Sequence, residues 1–136
     1  REGEVAVTNM TGGSDRVDYR SIPSVIYTNP EVGTVGETLE SAKKAGIDAE
    51  EVTMSLRYSG RYIAENEGGD GIVTIVYGKE HKNILGVHMI GSYASEIIYG
   101  AAAMVAREQR VADVQKLVFP HPTVCEVIRE AMFSIQ

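Results

Sequence analysis

Ile72-Val73-Thr74-Ile75-Val76-Tyr77, then Gly78-Lys79-Glu80-His81-Lys82-Asn83, then Ile84-Leu85-Gly86-Val87-His88-Met89-Ile90 is the stretch that decides the fold. The outer segments are rich in β-branched residues, and Ile72–Tyr77 is apolar on both faces. Both have strand length rather than helix length. The polar segment between them opens on glycine and ends on asparagine, so the two strands read as a hairpin. A hairpin makes its strands antiparallel, and apolar residues on both faces put Ile72–Tyr77 at the centre of a sheet.

Upstream, Val52, Met54, Leu56 and Tyr58 alternate with polar residues, the pattern of a half-buried strand. Residues 60–71 are polar and turn-rich, with Tyr62-Ile63-Ala64 as a brief strand. Thr38 has the position of an N-cap for a helix over Leu39–Ala45, which Gly46 ends. Ser24–Thr28 is a short strand between Pro23 and Asn29-Pro30, and Gly33 and Gly36 fall in the loop after it. Met10–Asp15 has linker composition, and nothing before it sustains a period. Downstream, Ser92 is a candidate cap for a helix carrying Ile97, Ile98, Ala101, Met104 and Val105 on one side. Gly100 and its three following alanines keep part of that helix thin. Val111–Leu117 is a short helix, Pro120-His121-Pro122 a rigid extended stretch, and Val124, Val127, Ile128, Ala131, Met132 and Ile135 the apolar side of a last helix. The order predicts an α+β fold, a mostly antiparallel sheet with helices packed on one face.

At 136 residues the chain is long enough for one domain with a real core. The net charge is −6, all of it in residues 1–70, while residues 71–136 balance to zero. No basic stripe is present for a nucleic-acid backbone, and no apolar run is long enough to span a bilayer. A neutral, apolar second half suits either a larger core or a subunit interface. The one cysteine, Cys125, excludes an internal disulfide and any multi-cysteine metal site. Glycine-rich phosphate loops, H-E-x-x-H and C-x-x-C are all missing, so no metal site is expected and no nucleotide site can be read from a motif.

Three histidines remain. His81 reads as a solvated turn residue, and His88, inside a strand, as a satisfied core or interface histidine. His121 stands between two prolines just before a helix, which presents its ring rigidly. Glu126 follows five residues later. A carboxylate bonded to one ring nitrogen selects the tautomer and leaves the other nitrogen free as a base. The competing reading is local: Thr123-Val124-Cys125-Glu126 is a T-x-x-E capping box, in which Glu126 bonds the Thr123 backbone instead. The two roles compete for one carboxylate. Cys125 reads as a small buried side chain, with a nucleophilic thiol as the alternative.

The segment Ile22-Pro23-Ser24-Val25-Ile26-Tyr27-Thr28-Asn29-Pro30-Glu31-Val32-Gly33, with Val35-Gly36 after it, resembles the start of the C-terminal interface domain of the dihydrolipoamide dehydrogenases. Ile84–Gly91 followed by Ala94-Ser95-Glu96 is similar to that domain's hairpin strand and helix. His121-Pro122-Thr123-x-x-Glu126 resembles the H-P-T-x-x-E motif of the flavin-dependent disulfide reductases. The likeness runs from Val17 to the end. It implies that residues 17–136 are an interface, or dimerisation, domain and that residues 1–16 are the remnant of a preceding flavin domain and linker.

The resemblance further implies a parent enzyme with FAD, NAD and a redox-active cysteine pair held elsewhere. That enzyme would be a cytoplasmic homodimer acting on dihydrolipoamide, with no nucleic-acid or membrane partner. His121 would be its acid–base, working in the partner subunit's active site, and Glu126 the group that orients it. The backbone of His121 and Pro122 would lie near the partner's flavin, with a cis bond between them. The chain alone would bind no cofactor and turn nothing over. Two departures stand out: Cys125 replaces a small hydroxyl residue, and Phe119 stands where this branch often has a second histidine. The alternatives are a sister reductase of the glutathione or mercuric type, and a non-catalytic oligomerisation module.

Overall fold

The computed structural model describes residues 1–136. The hairpin forms where expected, from β4 (Ile72–Gly78) and β5 (Ile84–Ile90), with Val73 opposite Met89 and Ile75 opposite Val87. Around it the sheet runs β1 (Ser24–Ile26), β2 (Val32–Gly36), β5, β4, β3 (Ala49–Ser55), every pair antiparallel. The inward side chains of one face, Val73, Ile75, Val87 and Met89, are sealed from water. They meet Ile98, Ala101 and Val105 of α4 (Ala94–Ala106) and Val127, Ile128, Ala131 and Met132 of α6 (Glu126–Phe133). This is the expected α+β layer. Removing that much apolar surface from water is the main force holding it.

The opposite face carries only α2 (Leu39–Lys44), whose Ala42 packs on Ala49 and Val76. Thr38 caps α2 and Gly46, at φ +75°, follows its end, as the sequence indicates. Most of this face is open. Ile26, Val32, Ile90 and Ile72 sit opposite one another across four strands, and Ile26, Ile72 and Ile90 are 56%, 43% and 38% exposed.

Four local expectations fail. Residues 32–36 form β2 rather than a loop, inserted between β1 and β5. Gly33 is required there because α4 lies directly on the strand: a Cβ would sit 2.8 Å from the Ala94 carbonyl oxygen. The third strand ends at Ser55, and Leu56–Tyr58 turn as a 3-10 helix that drops Leu56 into the core. Tyr62-Ile63-Ala64 belong to a helix, α3 (Gly60–Glu65), capped by Ser59. Ser92 does not cap α4. Its hydroxyl bonds Asn66, and the Ser95 N–H at the helix start is met by the Glu31 carboxylate, 64 residues away in sequence, at 3.0 Å. That bond holds the Glu31 carboxyl below the usual carboxylate range.

Residues before the linker also gain structure. Glu2–Met10 form α1, which buries none of its residues and leaves Val7 and Met10 exposed. The helix α5 is shorter than expected, Val111–Val114.

Candidate acid–base site

The chain leaves α5, crosses Pro120-His121-Pro122 and enters α6. The His121-Pro122 bond is cis. Thr123 organises the turn: its hydroxyl donates to the Pro120 carbonyl at 2.6 Å, and its N–H donates to Glu126 Oε2 at 2.8 Å. The other carboxylate oxygen, Oε1, is 2.8 Å from His121 Nδ1. The two readings of Glu126 therefore do not compete, because each takes one oxygen. Bonds from the Thr123 N–H first, and from His121 second, hold the Glu126 carboxyl below its ordinary range.

An ionised carboxylate only accepts, so Nδ1 carries the proton and Nε2 keeps its lone pair. The His121 side chain is 81% exposed and that of Glu126 is 22% exposed. Nε2 has no partner in the chain, and neither do the His121 backbone N–H and carbonyl. An imidazole oriented through one nitrogen, with the other free on an exposed ring, has the chemistry of a general base. Pro122, Thr123, Val124 and Cys125 line one side of a cleft of about 250 Å³, with Tyr93, Glu96 and Ile97 of the α4 region and Arg61 on the other. Arg61 and Tyr93 are both tied to Glu65.

The other sequence candidates are not bonded to the pair. Cys125 is half-buried, its sulfur 3.1 Å from the Thr123 hydroxyl, and is bonded to neither His121 nor Glu126. His81 is exposed in its turn, near Glu80. His88 is half-buried in β5 and fully engaged. Its Nε2–H donates to the Glu37 carbonyl at 3.0 Å, and its Nδ1 accepts from the Thr34 hydroxyl. No three His, Cys, Asp or Glu side chains converge as metal ligands would. Sequence reasoning missed Ser59, whose hydroxyl donates to the Thr123 carbonyl at 2.9 Å. Its only local trace is a serine–glycine pair before a segment not read as a helix.

The chain is thus an antiparallel α+β layer with a carboxylate-bonded, exposed imidazole ahead of its last helix. The family model of the pyridine nucleotide-disulphide oxidoreductase dimerisation domain matches residues 22–132, and the chain belongs to that family. It is similar to dihydrolipoyl dehydrogenase 3 of Haloarcula marismortui, 36% identical over 131 residues, covering 96% of this chain and 27% of that protein. The dihydrolipoyl dehydrogenase of Synechocystis is 37% identical over 134 residues, 96% of this chain and 28% of its own. The chain thus spans little more than a quarter of the curated relatives it matches. Its fold is that of a part of LpdA from Mycobacterium tuberculosis, with TM-score 0.89 at 22% identity over 99% of this chain and 29% of that one. It also matches the HOCl-induced flavoprotein disulfide reductase RclA of Escherichia coli, with TM-score 0.86 at 18% identity over 98% of this chain and 31% of that one.

Proposed function

We propose that this chain is the dimer-forming domain of a dihydrolipoyl dehydrogenase and supplies His121 and Glu126 to the partner subunit's active site. Residues 17–136 are that domain, and residues 1–16 are the remnant of the flavin domain and linker before it. The observation that carries the reading is the 2.8 Å bond from His121 Nδ1 to Glu126, which leaves Nε2 free on an exposed ring. The names of the dihydrolipoyl dehydrogenase relatives support dihydrolipoamide over the substrates of sister reductases.

The chemistry follows from thiol reactivity. Free thiols near pKa 8.5 are mostly protonated at neutral pH, and exchange needs the thiolate. His121 Nε2 takes the proton of one dihydrolipoamide thiol as its sulfur attacks the enzyme's disulfide. One S–S bond breaks, a mixed disulfide forms, and the released sulfur leaves as a thiolate. The substrate's second sulfur then closes the lipoamide disulfide and frees the other enzyme sulfur. The electron pair now resides on the reduced enzyme dithiol, one sulfur a thiolate and the other carrying the substrate's second proton, while the first proton is on His121, whose imidazolium Glu126 stabilises. A flavin bound by the rest of such an enzyme supplies the route from that dithiol to NAD⁺. This chain carries no G-x-G-x-x-G motif for either cofactor. Its contribution near the flavin is the unpaired backbone of His121, with Pro122 beside it.

The open row of Ile26, Val32, Ile90 and Ile72 suits a domain that another protein surface covers, here within a homodimer. No helix is long and apolar enough to cross a membrane. We assign the cytoplasm, because dithiol chemistry and an unpaired Cys125 suit a reducing compartment. The test is His121→Gln in the full-length flavoprotein. Dithiol turnover is expected to fall about 10²- to 10⁴-fold, the range of a lost general base. Unchanged turnover would overturn the reading and leave an oligomerisation module. The 136-residue chain alone is expected to be colourless and inactive.

A further inference from the structure

We infer that Ser59 is a positioning residue for the His121–Glu126 pair; the inference rests on the acid–base reading above. Ser59 is the only polar or charged residue among the buried ones, 2% exposed. A buried hydroxyl persists where it is hydrogen-bonded, and this one is bonded in two directions. It accepts the Tyr62 N–H as the cap of α3, and it donates to the Thr123 carbonyl at 2.9 Å. Thr123 in turn fixes both ends of the site, holding Pro120 through its hydroxyl and Glu126 through its N–H.

The bond from Ser59 is the one hydrogen bond that reaches residues 118–125 from elsewhere in the chain; every other bond to this turn is local. Ser59 is itself anchored between Leu56 and Tyr62, both in the core and both essentially inaccessible to water. The path from sheet to imidazole is therefore β3, Ser59, the Thr123 carbonyl, the Thr123 N–H, Glu126 and His121 Nδ1. Local bonds set the shape of the turn. Ser59 ties that shape to the rigid sheet, and so sets where His121 Nε2 stands relative to a substrate held by a partner subunit. A displacement of about 1 Å in a reacting group can cost on the order of a hundredfold in rate.

The test compares two lost helix caps. Thr38 caps α2 as Ser59 caps α3, but Thr38 touches nothing near His121. Ser59→Ala and Thr38→Ala are made in the full-length flavoprotein, with Ser59→Gly as a third variant because glycine is tolerated at an N-cap. Dithiol kcat and KM are measured, and the His121 ring tautomer is read by long-range ¹H–¹⁵N correlation on the 136-residue chain. The expected result for both Ser59 variants is a kcat about ten- to a hundredfold lower with KM little changed. The His121 ring should keep its single Nδ1–H tautomer, because the bonds that set it are local. Thr38→Ala should change neither. Ser59 variants whose kcat follows that of Thr38→Ala would show Ser59 to be a cap alone, and variants that lose the tautomer would show that it shapes the turn rather than places it; either would overturn the inference. Both outcomes would leave the acid–base reading standing, since it depends on His121→Gln.

Discussion

His88 and His121 lie in two regions that use the same side chain in opposite ways. His88 sits in β5, where the sheet brings Thr34 directly opposite it and the Glu37 carbonyl within reach. Both of its nitrogens are spent on the chain's own groups. His121 sits in a proline-bounded turn with one nitrogen spent on Glu126 and the other unspent. A hydrogen bond that completes a pairing adds stability, whereas a nitrogen left free at the surface adds none and can accept a proton. The difference teaches that what sets His121 apart is availability: the fold orients both rings and leaves a nitrogen unused on His121 alone of the two.

The contrast makes a double dissociation. The largest effect is expected from His121→Gln, whose loss of about 10²- to 10⁴-fold in turnover corresponds to roughly 3–5 kcal/mol of barrier. Its urea midpoint should match the parent's, because the ring is exposed. A large stability loss would erase the distinction between the two histidines.

Glu126→Gln comes next. Gln cannot hold the imidazolium, and turnover should fall about tenfold to a hundredfold. It should also alter the acid limb of stability. The folded-state carboxyl titrates below its ordinary range, so its contribution is complete above the unfolded value of about 4.3 and is lost as pH falls through the folded one. Urea midpoints from neutral pH to about pH 3 should therefore converge for the two proteins on the acid side. A constant gap would remove Glu126 from the titration.

His88→Leu reverses the first result. It strands the Thr34 hydroxyl and the Glu37 carbonyl, and should cost about 1–3 kcal/mol in stability. Turnover in the folded enzyme should be unchanged. A fall in turnover without a fall in stability would give His88 a chemical role. The smallest effect belongs to Cys125→Ser, which restores a hydroxyl beside Thr123. Stability should stay within about 0.5 kcal/mol and turnover should not change. A large loss of turnover would bring the thiol into the chemistry.

The hairpin, α2, α4 and α6 were all legible because their signals are local: β-branched runs, a capping threonine, apolar residues every three or four positions. The His121–Glu126 pair was legible for the same reason, being five residues apart in one turn. What misled was also local. The run Val52 to Tyr58 keeps its alternation past the end of β3, and only the descent of Leu56 into the core turns the chain. Val32–Gly36 carries too few side chains to show a period, and becomes a strand because β1 and β5 flank it and α4 lies on Gly33.

By itself, then, the sequence determined the central hairpin, the helices α2, α4 and α6, and the turn that bears the imidazole. Each depends on contacts within about ten residues, where spacing and residue type are sufficient. The tertiary structure alone decided that Glu31 caps α4, that Thr34 and Glu37 are the groups that satisfy His88, that one carboxylate of Glu126 serves two partners, and that Ser59 reaches the site. Three of those four are hydrogen bonds between residues 51 to 64 apart in sequence, whose partners no local pattern names. The fourth is a division between two oxygens of one side chain, which residue spacing cannot express.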